Sequence, residues 1–118
     1  MKESLILNKS FSFAVKAVNV YKAIVNDKKE FVLSKQFLRA ATSVGANIEE
    51  ANGAISNPDF KNKISIAYKE ARETLYWLKL LQATDYINKK DFDELAADCD
   101  ELCRLLRASI NTMLNKEK

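Results

Sequence analysis

Residues 33–81 read LSKQFLRAATSVGANIEEANGAISNPDFKNKISIAYKEARETLYWLKLL, and this stretch decides the fold. It predicts two amphipathic helices joined by a sharp turn near Gly53. The first should begin at Ser34, a good N-cap, and its apolar residues alternate spacings of four and three, as in the seam of a left-handed bundle. They are Phe37, Ala41, Val44, Ile48, Ala51 and Ile55. The second should begin at Asn57 as N-cap, because Pro58 then takes the first helical position. Its apolar stripe is Phe60, Ile64, Ala67, Ala71, Leu75 and Leu78.

Two more helices flank this pair. The first is apolar around most of its circumference and has a narrow polar stripe of Ser12, Lys16, Asn19, Lys22 and Asn26. The last begins at Asn88, with Asp91 three residues later as its capping partner. The sequence therefore predicts one domain over residues 1–118, with helices at about 10–26, 34–53, 57–83 and 88–114. Short connections make successive helices antiparallel neighbours, so the fold class is an all-α, up-down-up-down antiparallel four-helix bundle.

The composition excludes several classes of function. The chain has 118 residues, 47% of them apolar, with only two glycines and one proline, and no run approaches the roughly 20 apolar residues that span a bilayer. We therefore expect a cytoplasmic protein without a membrane partner. The chain contains no histidine, so a Ser or Cys nucleophile lacks its usual base. We expect no enzyme activity and no cofactor. Cys99 and Cys103, one helical turn apart, should be buried reduced thiols.

A polar group on the second and third helices is the candidate site. It consists of Arg39, Asn47, Glu50, Glu70 and Glu73. Counting outward from a turn centred near residue 55 places Arg39 level with residues 70–74, so an Arg39–carboxylate pair should fix the register of the two helices. A carboxylate-bridged two-metal site is the alternative, but such sites use Glu-x-x-His pairs, and no metal site is expected here.

The apolar surplus of the first helix and of residues 74–81 exceeds what one bundle core can cover. A second copy of the chain is the expected partner. The predicted interface residues are Phe13, Val20, Tyr76, Trp77 and Leu80.

Three segments together carry a family resemblance: KSFSFAVKAVNVYKAI (9–24), QFLRAATSVGANIEEA (36–51) and DFKNKISIAYKEARETLYWLKLL (59–81). Their order and spacing resemble the 23S rRNA-intervening-sequence protein family of bacterial four-helix bundles, which is related to the accessory proteins of diversity-generating retroelements. The resemblance implies a homo-oligomer, with a pentamer favoured, and partners such as RNA, DNA or a nucleic-acid enzyme like a reverse transcriptase. It implies an assembly or adaptor role rather than catalysis.

Charge leaves two functions open. The net charge is +3, and all of the excess lies in residues 1–58, which contain eight basic and five acidic side chains against eleven of each in residues 59–118. In a ring of five, Lys16, Lys22, Lys28 and Lys29 could gather on one rim and bind phosphates. The alternative is a solvated surface on a protein–protein interaction module that does not bind nucleic acid.

Overall fold

Four helices account for most of the chain in a computed structural model that describes residues 3–116. Helix α1 spans Glu3–Ala23 and continues into a π-helical turn at Ile24–Lys28. Helices α2, α3 and α4 span Leu33–Asn52, Asn57–Ala83 and Lys89–Lys116. No strand occurs within residues 3–116, and the Cα trace measures 49 × 21 × 21 Å. The fold is all-helical.

Each helix packs against the next one in the chain, and α1 also contacts α4. This packing is that of a helical bundle, with one core on the shared axis. The core residues of α1 are Ile6, Phe13, Ala17 and Ile24. Those of α2, α3 and α4 include Phe37, Val44, Ile48, Ile64, Leu78, Leu81, Leu95, Leu102 and Leu106.

The apolar spacing predicted most of this core. All predicted seam residues of α2 are buried except Ile55, whose side chain is 95% exposed. The prediction for Ile55 is wrong because α2 ends at Asn52, and the turn that follows carries Ile55 away from the core. On α3 the stripe continues to Leu81, and Thr74 is fully buried within it. The Thr74 hydroxyl stays compatible with the core because it donates to the Glu70 carbonyl oxygen at 2.7 Å.

The boundaries of α1 and α2 differ from the prediction. Helix α1 begins at Glu3, seven residues before Ser10, and Ile6 from this added stretch enters the core. At its other end α1 is followed by the π-helical turn, and the next residue, Lys29, adopts a left-handed conformation (φ 55°). Ser34 does not cap α2. Its side chain is buried in the first turn and donates to the Glu30 carbonyl oxygen at 2.8 Å.

Glu30 is the residue that caps α2. Its carboxylate accepts from the backbone N–H groups of Val32 at 2.9 Å, Leu33 at 3.0 Å and Ser34 at 2.7 Å. Burial opposes ionisation of this carboxyl, but the three N–H donors outweigh burial and hold the pKa of Glu30 below its usual range. A negative charge at a helix N-terminus also complements the helix dipole.

The caps of α3 and α4 agree more closely with the sequence. Ser56, one residue before the predicted Asn57, caps α3 by accepting from the Asp59 N–H at 3.1 Å. The Asn88–Asp91 pair forms as predicted. The Asn88 side-chain oxygen accepts from the Asp91 N–H at 2.8 Å, and the Asn88 amide donates to the Asp91 carboxylate at 3.1 Å.

Within residues 3–116, none of the helices is both long and apolar enough to cross a membrane.

Candidate nucleic-acid interface

The four predicted lysines do not form one free basic rim in the monomer. Lys16 on α1 points to α4, where its ammonium lies 2.8 Å from Asp98 and 2.9 Å from Glu94. The hydrogen bonds to Asp98 and Glu94 raise the pKa of Lys16. Two carboxylates therefore neutralise this lysine, and it serves first as a bridge between the two helices.

The other three lysines are exposed at one end of the bundle. Lys22 lies in the last turn of α1, Lys28 ends the π turn, and Lys29 follows it. Lys28 borders a cleft of about 420 Å³ whose charged lining residues also include Lys89 and three aspartates, Asp27, Asp85 and Asp91. These aspartates reduce the positive potential at this end of the molecule.

The predicted polar group divides into two ion-pair sets. The Arg39 guanidinium pairs with Glu73 and lies 3.2 Å from Glu70, which places Arg39 level with residues 70–74 as the turn count indicates. The Glu73 carboxylate also accepts from the Trp77 indole N–H at 2.9 Å.

Glu50 and Asn47 lie outside that set. Glu50 pairs instead with Lys63 at 2.9 Å, nearer the α2–α3 turn, and the Asn47 amide donates to the Ser43 carbonyl oxygen at 2.8 Å within α2. Their grouping with Arg39 is therefore wrong in the monomer. The Arg39 ion pairs precede the Glu50–Lys63 pair along α2 but follow it along α3, so the two sets have opposite order on the two helices. No group of three or more Cys, Asp and Glu side chains suited to a metal ion occurs in the described part of the chain.

The predicted interface residues lie in different environments. Phe13 is 1% exposed and belongs to the monomer core, so it cannot face a second copy. The periodicity misplaced it because α1 is apolar on several faces and the sequence alone does not show which face turns inward. Val20, Trp77 and Leu80 are half-buried, and Tyr76 is 57% exposed with its ring edge-on to Trp77.

The structure instead exposes a different apolar surface, which we call the α1 outer face. It consists of Leu7, Phe11, Ala14, Val15 and Val18. Phe11 is 70% exposed and Val15 is also exposed. Leu7, Phe11 and Ala14 form one wall of a groove of about 270 Å³, and Thr42, Gly45 and Ala46 of α2 form the other. An exposed phenylalanine beside an apolar groove is a feature of interaction surfaces.

A second surface, on α3 and α4, was not predicted from the sequence. We call it the arginine cleft, and its volume is about 290 Å³. Its lining residues are Tyr68, Arg72, Leu75, Asp100, Cys103, Arg104 and Arg107. The guanidinium carbons of Arg72 and Arg107 lie 6.0 and 5.7 Å from the centre of the Tyr68 ring, and Arg72 donates to the Tyr68 hydroxyl at 3.2 Å. Arg104 pairs with Asp100 at 3.2 Å.

The cleft was not predicted because residues 59–118 contain equal numbers of acidic and basic side chains, which gives no sign of a basic surface. Eleven acidic side chains cancel eleven basic ones in that half of the chain, yet Arg72 and Arg107 both lie over the Tyr68 ring and Arg104 lines the same cleft. Spacing gave a partial signal, because Tyr68 and Arg72 are four apart and Arg104 and Arg107 are three apart, as for neighbours on a helix surface. The two pairs are brought together by the register of α4 against α3. This register cannot be derived by counting residues outward from a tight turn, as was possible for α2 and α3.

The two cysteines behave as predicted for thiols. Both are buried and free, and Cys99 donates its S–H to the Ala71 carbonyl oxygen at 3.1 Å. Hydrogen bonding with Cys103 and burial raise the pKa of Cys99. Cys99 is therefore a protonated core side chain that helps join α3 to α4.

Comparison with known proteins places this helical bundle in a family. The sequence model of the 23S rRNA-intervening sequence protein family matches residues 2–108, and the chain belongs to that family. It is also similar to a protein of unknown function from the S23 ribosomal protein family of Bacteroides thetaiotaomicron VPI-5482, whose crystal structure was determined at 1.70 Å. The two are 50% identical with a TM-score of 0.91, over 94% of this chain and 99% of the other. The comparison with curated proteins found no match.

Proposed function

We propose that this protein is a non-enzymatic adaptor that assembles into a homo-oligomer, with five copies favoured, and acts in association with nucleic acid. Each protomer is an up-down-up-down antiparallel bundle in this proposal. The opposite order of the ion pairs along α2 and α3 supports that topology. The Lys9–Glu101 and Lys16–Glu94 pairs support it as well, because residue numbers rise along α1 as those of the partners fall along α4.

The α1 outer face is the observation that carries the proposal of self-association. Phe11 stands 70% exposed on it, and burying such a side chain gains about 1.5–3 kcal/mol. Gly45 on the opposite wall of the groove brings α2 close to the backbone of α1. A Cβ built there would lie 3.6 Å from the Ser10 carbonyl oxygen. The groove therefore has a rigid wall of small residues against which an aromatic ring from a second copy can pack.

Two observations support association with nucleic acid. The family is described by its relation to 23S rRNA intervening sequences. The arginine cleft also concentrates cationic side chains on a chain whose net charge is only +3. Basic side chains that contact phosphates make binding weakly sequence-dependent and strongly salt-dependent.

Light scattering and a mobility-shift assay test the two parts of this proposal separately. At micromolar concentration the wild-type protein should have a multiple of the 13.4 kDa chain mass, with five copies expected. It should also shift single-stranded RNA or DNA at low salt. A mass of one chain contradicts self-association. An oligomer that shifts neither nucleic acid at low salt would instead be a protein–protein interaction module.

A further inference from the structure

The arginine cleft differs from the Arg39 and Lys16 ion-pair sites in the partners of its arginines. No carboxylate lies within ion-pair distance of Arg72 or Arg107 in the described residues, whereas Arg39 and Lys16 each contact two carboxylates. The positive charges of Arg72 and Arg107 therefore remain available to a ligand. Arg104 is largely exposed, and its contact with Asp100 is a surface pair, which contributes little free energy.

Tyr68 orders these two guanidiniums before any ligand arrives. Arg72 and Arg107 both lie over the Tyr68 ring, at 6.0 and 5.7 Å from its centre, and the tyrosine hydroxyl accepts from Arg72. Cation–π contacts of this kind hold a guanidinium plane in place. A pre-ordered arginine loses less conformational entropy when it binds than a free surface lysine does.

The lining of the cleft also has an apolar part. It includes Leu75 and Cys103, and Cys103 is only 8% exposed. A ligand that fits this arrangement carries anionic oxygens for the planar guanidiniums and a flat, partly apolar group for the cleft. Phosphodiesters suit the arginine forks, and nucleobases stack on guanidinium planes.

From these contacts we infer that the arginine cleft is a binding site for single-stranded nucleic acid, with Arg72 and Arg107 contacting consecutive phosphates and Tyr68 ordering both side chains. This inference rests on the proposed association with nucleic acid and assigns it to a surface other than the lysine end of the bundle. Contacts to phosphates do not involve the ribose 2′-hydroxyl, so RNA and DNA single strands should bind with similar affinity.

Fluorescence anisotropy with labelled uridine and deoxythymidine homopolymers of about 20 nucleotides tests the assignment. The test variant is Arg72→Gln/Arg107→Gln. The matched control is Lys22→Gln/Lys28→Gln, which removes the same charge from exposed lysines at the end of the bundle. Circular dichroism and light scattering should show both variants folded and assembled as the wild type, because all four side chains are exposed.

The arginine variant should bind about tenfold more weakly at low salt. Each phosphate contact to a single strand contributes about 0.7 to the slope of log affinity against log salt, so the loss of two contacts should reduce that slope by about 1.4. The lysine control should keep the wild-type slope. Arg72→Lys/Arg107→Lys should restore the slope but remain about threefold weaker than wild type, because lysine lacks the planar fork and its stacking.

The possible results separate this inference from the proposed function. Wild-type protein that binds neither homopolymer overturns both. Wild-type binding that the arginine variant keeps, or that both double variants lose equally, overturns only the assignment to the cleft. The assignment is also overturned if a polyglutamate peptide binds the wild-type protein as tightly as the homopolymers do and the arginine variant does not bind this peptide. The cleft is then a site for an acidic protein partner.

Discussion

Arg39 is the side chain that connects α2 to α3 at mid-helix. Its guanidinium reaches two carboxylates of α3, and one of these also holds the indole N–H of the single tryptophan. The pair is not buried: the Arg39 side chain is 49% exposed and that of Glu70 is 19% exposed. Removing a partner from a buried ion pair costs about 3–5 kcal/mol, whereas exposed pairs contribute about 0.2–1 kcal/mol each. Because solvent screens these charges, the loss of stability on removing Arg39 should be closer to that of an exposed pair than to that of a buried one.

Arg39→Ala should lower the free energy of unfolding by about 1 kcal/mol, because two partly screened ion pairs are lost and Glu70 remains half-buried without its cation. Urea denaturation at one fixed protein concentration measures this change, and Trp77 fluorescence provides the signal. The control is Arg104→Ala, which removes an i,i+4 pair with side chains 73% and 57% exposed and should change stability by less than about 0.5 kcal/mol. An Arg39→Ala midpoint equal to that of the wild type would show that the contacts of Arg39 do not contribute to stability.

At the scale of the element, the start of α2 depends on a residue outside the helix. Glu30 satisfies three backbone N–H groups that the first turn would otherwise leave unpaired. It does so across a short connection that also contains the left-handed Lys29. The cap therefore fixes where α2 begins and the direction in which the chain leaves α1.

Glu30→Gln should destabilise the protein by about 1 kcal/mol at neutral pH, the usual cost of a lost helix cap. The folded pKa of Glu30 is lowered, so its stabilisation is complete above the unfolded value of about 4.3 and disappears as the pH falls through the folded pKa. The stability difference between wild type and variant should be constant at neutral pH and shrink below about pH 4. Glu49→Gln, which removes an exposed charge from the same helix, is the control.

Amide hydrogen exchange gives a second measure of the same cap. The N–H groups of Val32, Leu33 and Ser34 should exchange faster in Glu30→Gln, while the middle of α2 keeps its protection. A difference between wild type and variant that does not change with pH would show that the charge of Glu30 does not act in the cap.

The sequence predicts the helices and their core positions more accurately than it predicts where each helix begins and ends. Seam positions such as Phe37, Val44 and Ile48 follow from apolar spacing, because a helix that packs on one core must repeat with its own turn. The level of Arg39 against Glu70 follows from counting about a short turn. The cap by Glu30 does not follow, because Ser34 satisfies the same local rule. Helix α1 continues back to Glu3 because Ile6 has a place in the core, which only the packing of other helices provides.

At the scale of the whole molecule, contacts between distant parts of the chain decide where the candidate sites lie. Lys16 is neutralised by carboxylates about eighty residues away on α4, and the arginine cleft combines residues of α3 and α4. Neither arrangement follows from local spacing alone, because each depends on how α4 packs against another helix. The same packing turns Phe13 inward and Phe11 outward, so the apolar surplus of α1 could be predicted from the sequence but not the face that carries it.

Self-association through the α1 outer face predicts that stability depends on protein concentration. The thermal midpoint of an assembled protein rises with concentration, because folding and association are linked. Phe11→Ser and Ala46→Glu alter the two walls of the same groove from different helices. Each should reduce the mass in light scattering to 13.4 kDa and remove the concentration dependence. Phe31→Ser removes another exposed phenylalanine, which lies just before α2, and should leave both properties at wild-type values. If both groove variants still assemble as the wild type does, the copies meet through another surface, and the exposed Tyr76 would be the next residue to replace.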